Sequence, residues 1–361
     1  MATITRYRAN GGSQGSPAPR RANTQAVKTV NLALQGGGAH GAFAWGVLDR
    51  LLEEERVSFE GITACSAGAM NAVVLAYGLT EGGRAGAKTA LTNFWRRISH
   101  STLFSPLQPT LFDRLSHNHS LDHSPAFLFF DLMTRLFSPY QLNPLNSNPL
   151  REILEQSIDV DRLREDCATK LFLSATNVRT GKVKVFRNAE LSIDAVMASA
   201  CLPFLFQAVE IDGESYWDGG YMGNPALYPL IYHCETSDIV IVHINPIERH
   251  QQPRTAQEIL NRINEISFNS SLMREMRAIA FVTDLIDQEQ VQPNSLKRML
   301  IHSIEAETFM SSLSVSSKLN ADWEFLTHLR DIGREAADTW LTHDFVKVNA
   351  ESSIDIRARY L

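Results

Sequence analysis

The chain has 361 residues, of which 44% are hydrophobic and 20% are charged, as in a globular protein with a sizeable core. Its net charge is −6, and because residues 1–28 hold five basic and no acidic residues, residues 29–361 carry −11. This acidic body argues against nucleic acid as a partner, and no apolar run reaches the ~20 residues of a membrane span. The N-terminus also lacks the apolar stretch of a secretory signal, so we expect a cytoplasmic protein.

Residues 1–28 are rich in Gly, Ser, Pro and Arg, which predicts a disordered basic tail. The cysteines are widely spaced and form no C-x-x-C pair: Cys65, Cys167, Cys201 and Cys234. This spacing favours free thiols in a reducing compartment and gives no indication of a metal site.

Strand and helix signals alternate from residue 29 onward. TVNLALQ (29–35) and FEGITAC (59–65) are short, mostly apolar runs that predict strands. Residues 39–55 and 67–79 carry apolar residues at helical spacing. The order strand, helix, strand, helix predicts a parallel sheet with right-handed crossovers.

Further strands and one helix are predicted between residues 170 and 246. They are a strand pair, KLFLSATNV (170–178) and KVKVF (182–186), a helix that Pro203 stops (192–204), a hairpin on Asp212–Gly213 (208–217) and a buried parallel strand, DIVIVHINP (238–246). From Thr255 onward the pattern predicts mainly helices.

The first strand runs into a glycine-rich loop, LALQGGGAHGAF (32–43). Its glycines contain the pattern G-x-G-x-x-G and are Gly36, Gly37, Gly38 and Gly41. This pattern binds a dinucleotide when an acidic residue ends the following strand, but here that strand ends in Cys65 and Ser66. The loop is therefore predicted to point its backbone N–H groups at a developing oxyanion.

The second strand leads into ITACSAGAMNA (62–72), where Ser66 stands between a strand and a helix. Its neighbours are small: Ala64, Cys65, Ala67 and Gly68. The spacing approximates G-x-S-x-G, in which a nucleophilic serine occupies a sharp turn that only small neighbours permit. The helix start favours an alkoxide at this position, although a serine is also a common helix N-cap.

A nucleophilic serine needs a base, and SYWDGGYMGNP (215–225) offers Asp218, followed by Gly219 and Gly220. D-G-G alone is also common in tight turns. The glycine loop and Ser66 follow adjacent predicted strands, and open α/β sheets place their sites at the carboxyl ends of such strands. These features together favour a serine hydrolase.

The glycine loop, the serine elbow and the downstream D-G-G together resemble the patatin-like phospholipase family, over about residues 29–235. The resemblance implies a three-layer α/β/α sandwich with a mainly parallel central sheet and a helical C-terminal region. Residues 29–361 are then expected to form one acyl hydrolase domain. Its catalytic core covers about residues 29–250, and its helical extension covers about residues 255–361.

The resemblance also implies a Ser–Asp dyad, with Ser66 as nucleophile and Asp218 as base. The implied reaction is hydrolysis of lipid acyl esters through an acyl-enzyme, without calcium, another metal or a cofactor. The expected partners are the lipid ester and, transiently, a membrane surface. The head group of the lipid and the oligomeric state stay open.

Three other functions stay open at this point, and one of them is a non-catalytic lipid-binding scaffold, against which the intact motifs argue. A conventional α/β-hydrolase triad would use His243, at the end of a predicted strand, and a nucleotide-binding protein would leave Ser66 idle. His40, inside the glycine loop, is expected to orient the loop or cap the helix. Residues 124–140 are rich in phenylalanine and either line an acyl pocket, dock on lipid or form a buried core helix.

Overall fold

The computed structural model describes residues 26–102, 120–122, 124–249, 252–292 and 295–361. The predicted basic tail therefore lies outside the described residues, apart from its last three. Of these, Lys28 belongs to the first strand, and its ammonium donates to the carbonyls of Phe345, Val346 and Val348 near the C-terminus.

The described residues form one eight-stranded sheet in the order β5–β6–β3–β2–β1–β7–β8, with β4 paired to β3. The strands are β1 (Lys28–Leu34), β2 (Val57–Ala64), β3 (Lys170–Asn177), β4 (Val183–Arg187), β5 (Val209–Ile211), β6 (Glu214–Asp218), β7 (Asp238–Val242) and β8 (Leu300–Ile304). The neighbours from β3 through β2, β1 and β7 to β8 pair in parallel, whereas the pairs β3–β4, β3–β6 and β5–β6 are antiparallel. The predicted parallel sheet and both predicted antiparallel pairs are confirmed.

Helices cover both faces of the sheet. They are α1 (Gly41–Leu51), α2 (Ala67–Thr102, broken at Gly82 and Gly83), α3 (Pro125–Leu136), α4 (Pro139–Leu142), α5 (Pro149–Glu155), α6 (Val160–Glu165), α7 (Ile193–Ser199), α8 (Tyr228–His233), α9 (Ala256–Asp287), α10 (Glu307–Ser312), α11 (Trp323–His343) and α12 (Ile356–Tyr360). Leu32 and Leu34 of β1 pack against α1, α2 and α11, while Ala33 packs with α8, α9 and α12 on the other face. Alternation along the strands thus builds the predicted three-layer sandwich.

The C-terminal helix α11 packs directly on α1, the helix that follows the glycine loop. The two backbones are so close that a Cβ on Gly46 would lie 1.9 Å from the carbonyl oxygen of Arg330. Phe325, Leu326 and Leu329 of α11 are buried in the same core as β1 and α1. The C-terminal region is therefore part of the main hydrophobic core.

The mainly helical character predicted for the region after Thr255 is confirmed, and this region also contributes one strand, β8, which pairs in parallel with β7. The helix predicted over residues 192–204 ends at Ser199, before Pro203. Residues 124–140 do not form a buried core helix, because Phe127 is the one buried residue of α3. No helix in the described part of the chain is long and apolar enough to cross a membrane.

Candidate active site

The carboxyl ends of β2 and β6 meet on one edge of β3. Ala64, the last residue of β2, pairs with Leu173, and Asp218, the last residue of β6, pairs with Ala175 two positions further along β3. The other edge of β3 is occupied by β4 at both positions. Because β2 runs parallel to β3 and β6 antiparallel, the two strands point at each other, which brings Ser66 towards Asp218.

Ser66 lies in a strained turn between β2 and α2. Its φ of 53° is in the left-handed region, which residues other than glycine rarely adopt. The backbone N–H of Ser66 stabilises this conformation, because it donates to the carbonyl oxygen of Ser199 at 3.0 Å and to the hydroxyl of Ser199 at 3.1 Å. Ala64 is fully buried before the turn, and the first residues of α2, Ala67 and Gly68, follow it. The geometry is that of a nucleophile elbow.

Asp218 is fully buried at the end of β6. Its Oδ1 accepts a 2.7 Å hydrogen bond from the N–H of Gly220, while its Oδ2 has no partner with good hydrogen-bond geometry among the described residues. Burial raises the pKa of Asp218 to about 6, although the Gly220 N–H, the Ser66 hydroxyl and the charge of Lys318 act to lower it. The Ser66 hydroxyl is thus near enough to Asp218 to act on its carboxylate.

The glycine loop lies against Ser66. A Cβ on Gly36 would stand 2.5 Å from Cβ of Ser66, so the backbone approaches as closely as only glycine allows. The Gly36 N–H is already used, since it donates to Asn224 Oδ1 at 2.7 Å. Among the described residues, no acceptor takes the N–H groups of Gly37 and Gly38. Gly41 follows as the first residue of α1.

A buried network of amide side chains supports this loop, and the sequence pattern does not predict it. Asn224 Oδ1 accepts from both Gly36 and the thiol of Cys65. Gln35 Oε1 accepts from the backbone N–H groups of Ile244 and Asn245 at 2.8 and 2.9 Å. The sequence signal for these residues is weak: each is a single polar residue at or after the end of a strand-forming run.

His40 and His243, the two histidines considered from the sequence, lie in different environments. His40 is buried, and its Nε2 lies 2.8 Å from the Ser317 hydroxyl; its side chain does not cap α1. Burial, Lys318 and Arg249 hold the pKa of His40 well below its usual value.

His243 lies on the other side of the sheet, beside Tyr360, with 6.4 Å between ring centroids. Burial lowers its pKa to about 4, and the charges that act on it are Arg359 and Glu307. The structure therefore brings Ser66 and Asp218 together with the glycine loop, and leaves His243 apart from them.

Comparison with known proteins agrees with this architecture. A family model described as patatin-like phospholipase matches residues 32–231. A comparison with curated proteins finds no match.

Among solved structures, VipD from Legionella pneumophila is similar with a TM-score of 0.41 and 15% identity, over 87% of this chain and 66% of VipD. A chain of the ExoU–SpcU complex, from the type III secretion system of Pseudomonas aeruginosa, is similar with a TM-score of 0.38 and 16% identity. That match covers 90% of this chain and 53% of the other, so the chain spans between half and two thirds of these proteins. The family match, in contrast, extends over more than half of the chain and includes the glycine loop, Ser66 and Asp218: the chain belongs to the patatin-like phospholipase family.

Proposed function

We propose that the protein is a serine hydrolase that cleaves acyl ester bonds of lipids with a Ser66–Asp218 dyad. Family membership supports the reaction class. The observation that carries the assignment of residues is the meeting of β2 and β6 on β3, where a serine with φ of 53° faces a fully buried carboxylate.

The reaction follows from the roles of these groups. Ser66 Oγ attacks the ester carbonyl carbon while Asp218 takes its proton, which gives a tetrahedral oxyanion. Collapse of this intermediate breaks the ester C–O bond, and Asp218 returns the proton to the leaving alcohol. Water then attacks the acyl-enzyme, again with Asp218 as base, and the fatty acid leaves with Ser66 restored.

The pKa of Asp218 suits this role. An ordinary aspartate, with a pKa near 3.9, is a weak base for a serine hydroxyl. Burial raises the pKa of Asp218 to about 6, which makes the carboxylate a stronger base while it is still mostly ionised near neutral pH. The dyad therefore depends on keeping Asp218 away from water.

The donors for the oxyanion are proposed to be the backbone N–H groups of Gly37 and Gly38, with the start of α2 behind Ser66. Gly36 was predicted as a donor as well, but its N–H donates to Asn224, so its role is the close approach to Ser66. One such donor stabilises a transition state by about 2.7 to 4 kcal/mol in hydrolases of this kind.

The surroundings of His243 argue against a triad. The ring packs with Tyr360 and interacts with Arg359 and Glu307, whereas Ser66 and Asp218 act on each other. In a triad, loss of the histidine is as damaging as loss of the serine. We expect His243→Ala to keep kcat on a soluble ester within a few-fold of wild type, and a folded variant as inactive as Ser66→Ala would overturn the dyad.

The nucleotide-binding alternative is weakened by the loop itself. The Gly36 N–H already donates to Asn224, so it is not free to bind a phosphate. Dinucleotide sites also need an acidic residue after the second strand to bind the ribose, and Cys65 stands at that position here.

An exposed apolar surface on α3 supports contact with a lipid layer. The side chains that it exposes by half or more are Leu128, Phe129, Leu132 and Leu136. On α9, Ile263 and Ile266 are exposed to a similar extent, and both helices line an open cavity of about 1010 Å³ that does not include Ser66. Because the substrate is a lipid, we propose that this surface docks transiently on a membrane.

The test of the hydrolase is Ser66→Ala, assayed on a panel of lipids and short p-nitrophenyl esters and by labelling with a fluorophosphonate. We expect wild type to be labelled and active, and the variant to be folded, unlabelled and inactive. Equal labelling of the two proteins would remove Ser66 as the nucleophile.

A further inference from the structure

A segment of the C-terminal region, residues 314–320, packs on the glycine loop although it lies outside residues 32–231 of the family match. A Cβ on Gly38 would stand 2.5 Å from the carbonyl oxygen of Lys318, so the two backbones touch. One residue earlier, the Ser317 hydroxyl pairs with His40 at 2.8 Å. The segment thus forms one wall of the loop that faces Ser66.

The side chain of Lys318 reaches the same loop by a second route. Its ammonium donates to Asn245 Oδ1 at 2.8 Å, and Asn245 Nδ2 donates to the carbonyl oxygen of Gly36 at 2.7 Å. Lys318 forms no ion pair within 4 Å among the described residues. Lys318 is half-buried. An ammonium that is partly shielded from water and lacks a close counter-ion is costly, so the position calls for a reason other than stability.

The charges around Lys318 single out Asp218. Glu265 also acts on Lys318, but its carboxylate is already paired with Arg249 at 2.6 Å and with Arg262 at 3.2 Å. Among the described residues no cation lies within 4 Å of the Asp218 carboxylate, and Lys318 and Asp218 each shift the pKa of the other towards its charged form. Arg249 opposes the positive charge of Lys318, and burial lowers the pKa of Lys318.

The remaining groups that face Asp218 do not supply a positive charge. They are the Gly220 N–H, the Ser66 hydroxyl, the thiols of Cys65 and Cys201 and the phenol of Tyr221. Burial raises the pKa of both thiols and of the phenol, so these groups stay neutral at physiological pH. Lys318 is therefore the cation that acts on Asp218 in the described part of the chain.

Resting on the proposed function, we propose that Lys318 is a positioning residue of the Ser66–Asp218 site. It holds the glycine loop through Asn245 and through the close approach of its own carbonyl to Gly38, and its positive charge acts on the carboxylate of Asp218 from this position. The C-terminal region then completes an active site whose nucleophile and base come from the family core.

The test separates the charge of Lys318 from its hydrogen bond. Lys318→Gln keeps a donor without the charge, and Lys318→Arg keeps the charge. We expect Lys318→Gln to move the acid limb of the pH profile of kcat/KM, measured on a soluble ester, to higher pH and to lower kcat/KM about two- to threefold near pH 6. Lys318→Arg keeps the limb near its wild-type position.

The matched control is Lys297→Gln. Lys297 is also partly buried, and it donates to the backbone carbonyls of Cys234 and Thr236, just before the start of β7. Its loss is expected to leave the pH profile unchanged. If Lys318→Gln folds poorly, Lys318→Met serves as the second charge-removing variant, with circular dichroism to confirm folding.

An unshifted acid limb in a folded Lys318→Gln or Lys318→Met protein overturns the proposal, as does an equal shift in Lys318→Arg. Titration of the Asp218 carboxyl by ¹³C NMR, assigned with Asp218→Asn, gives a readout that does not depend on hydrolysis. A raised pKa in Lys318→Gln supports the electrostatic role even if Ser66→Ala shows the hydrolase to be wrong. An unchanged pKa contradicts that role even if the hydrolase is right.

Discussion

Two buried aspartates lie on different strands of the sheet and differ in how their hydrogen-bonding groups are satisfied. Asp238, at the start of β7, is 2% exposed, and its Oδ1 accepts from His302 Nε2 and from the N–H of Asn349, both at 2.9 Å. Asp218, at the end of β6, is fully buried with Oδ2 unpaired among the described residues. Burial alone does not mark a functional carboxylate. An incompletely paired one beside a strained serine does, because stability gives no reason to keep it.

The largest effect is expected from exchanging each aspartate for asparagine. Asp218→Asn removes the base, so we expect kcat on a soluble ester to fall about a thousandfold or more while the melting temperature rises. A pKa of about 6 instead of 3.8 corresponds to ~3 kcal/mol of native-state destabilisation by the charged form above pH 6.

Asp238→Asn is the matched control, with the opposite signs. It weakens two hydrogen bonds of a satisfied carboxylate, so the melting temperature falls and kcat of the folded protein stays near that of wild type. The contrast between the two aspartates breaks if Asp218→Asn retains activity, or if both variants lose stability equally.

The site was predictable from sequence where its residues stand in short local patterns. Ser66 with its small neighbours and Asp218 before two glycines each carry a local signature, and β2 and β6 were predicted around them. Lys318, Asn224 and Asn245 carry none, since their roles exist only after tertiary packing brings them to the loop.

β8 was missed for a related physical reason. Its sequence is LIHSI, in which His302 and Ser303 interrupt an apolar run. His302 is nevertheless buried because Asp238 of the neighbouring strand accepts its hydrogen bond. A polar residue that is satisfied across a sheet looks, in sequence, like a residue that faces water.

The strain at Ser66 can be tested by changing the size of the side chain at Ala64. Ala64 is fully buried, and the elbow requires only that this position be small. We expect Ala64→Gly to keep kcat within a few-fold of wild type and Ala64→Val to lower it by about tenfold to a hundredfold. Normal kcat in Ala64→Val, measured on the same soluble ester, would show that the turn tolerates bulk and that Ser66 is not held in a strained elbow.

A smaller effect is expected from the surface of α3, which lies outside the chemistry. Phe129→Ser combined with Leu132→Ser should weaken binding to phospholipid vesicles several-fold and leave hydrolysis of a soluble ester unchanged. Tyr232→Ser is the control, since Tyr232 is 74% exposed on α8, away from α3. Vesicle binding that is equally weakened by all these changes, or by none of them, would contradict docking through α3.

The smallest effect is a pH dependence of stability that the buried Asp218 should cause. Its folded pKa, about 6, is raised above the unfolded value, so the neutral carboxyl stabilises the fold. This stabilisation is fully present below the unfolded pKa and is lost as pH rises through about 6.

Glu275 contributes a pH dependence of stability in the same direction. Burial raises the pKa of Glu275 to about 7, although its carboxylate accepts hydrogen bonds from the N–H groups of Leu227 and Tyr228. Its contribution is common to wild type and Asp218→Asn, so the melting temperature of Asp218→Asn should exceed that of wild type by more at pH 8 than at pH 5. A constant difference at the two pH values would mean that the pKa of Asp218 is not raised, and the base would then have ordinary strength.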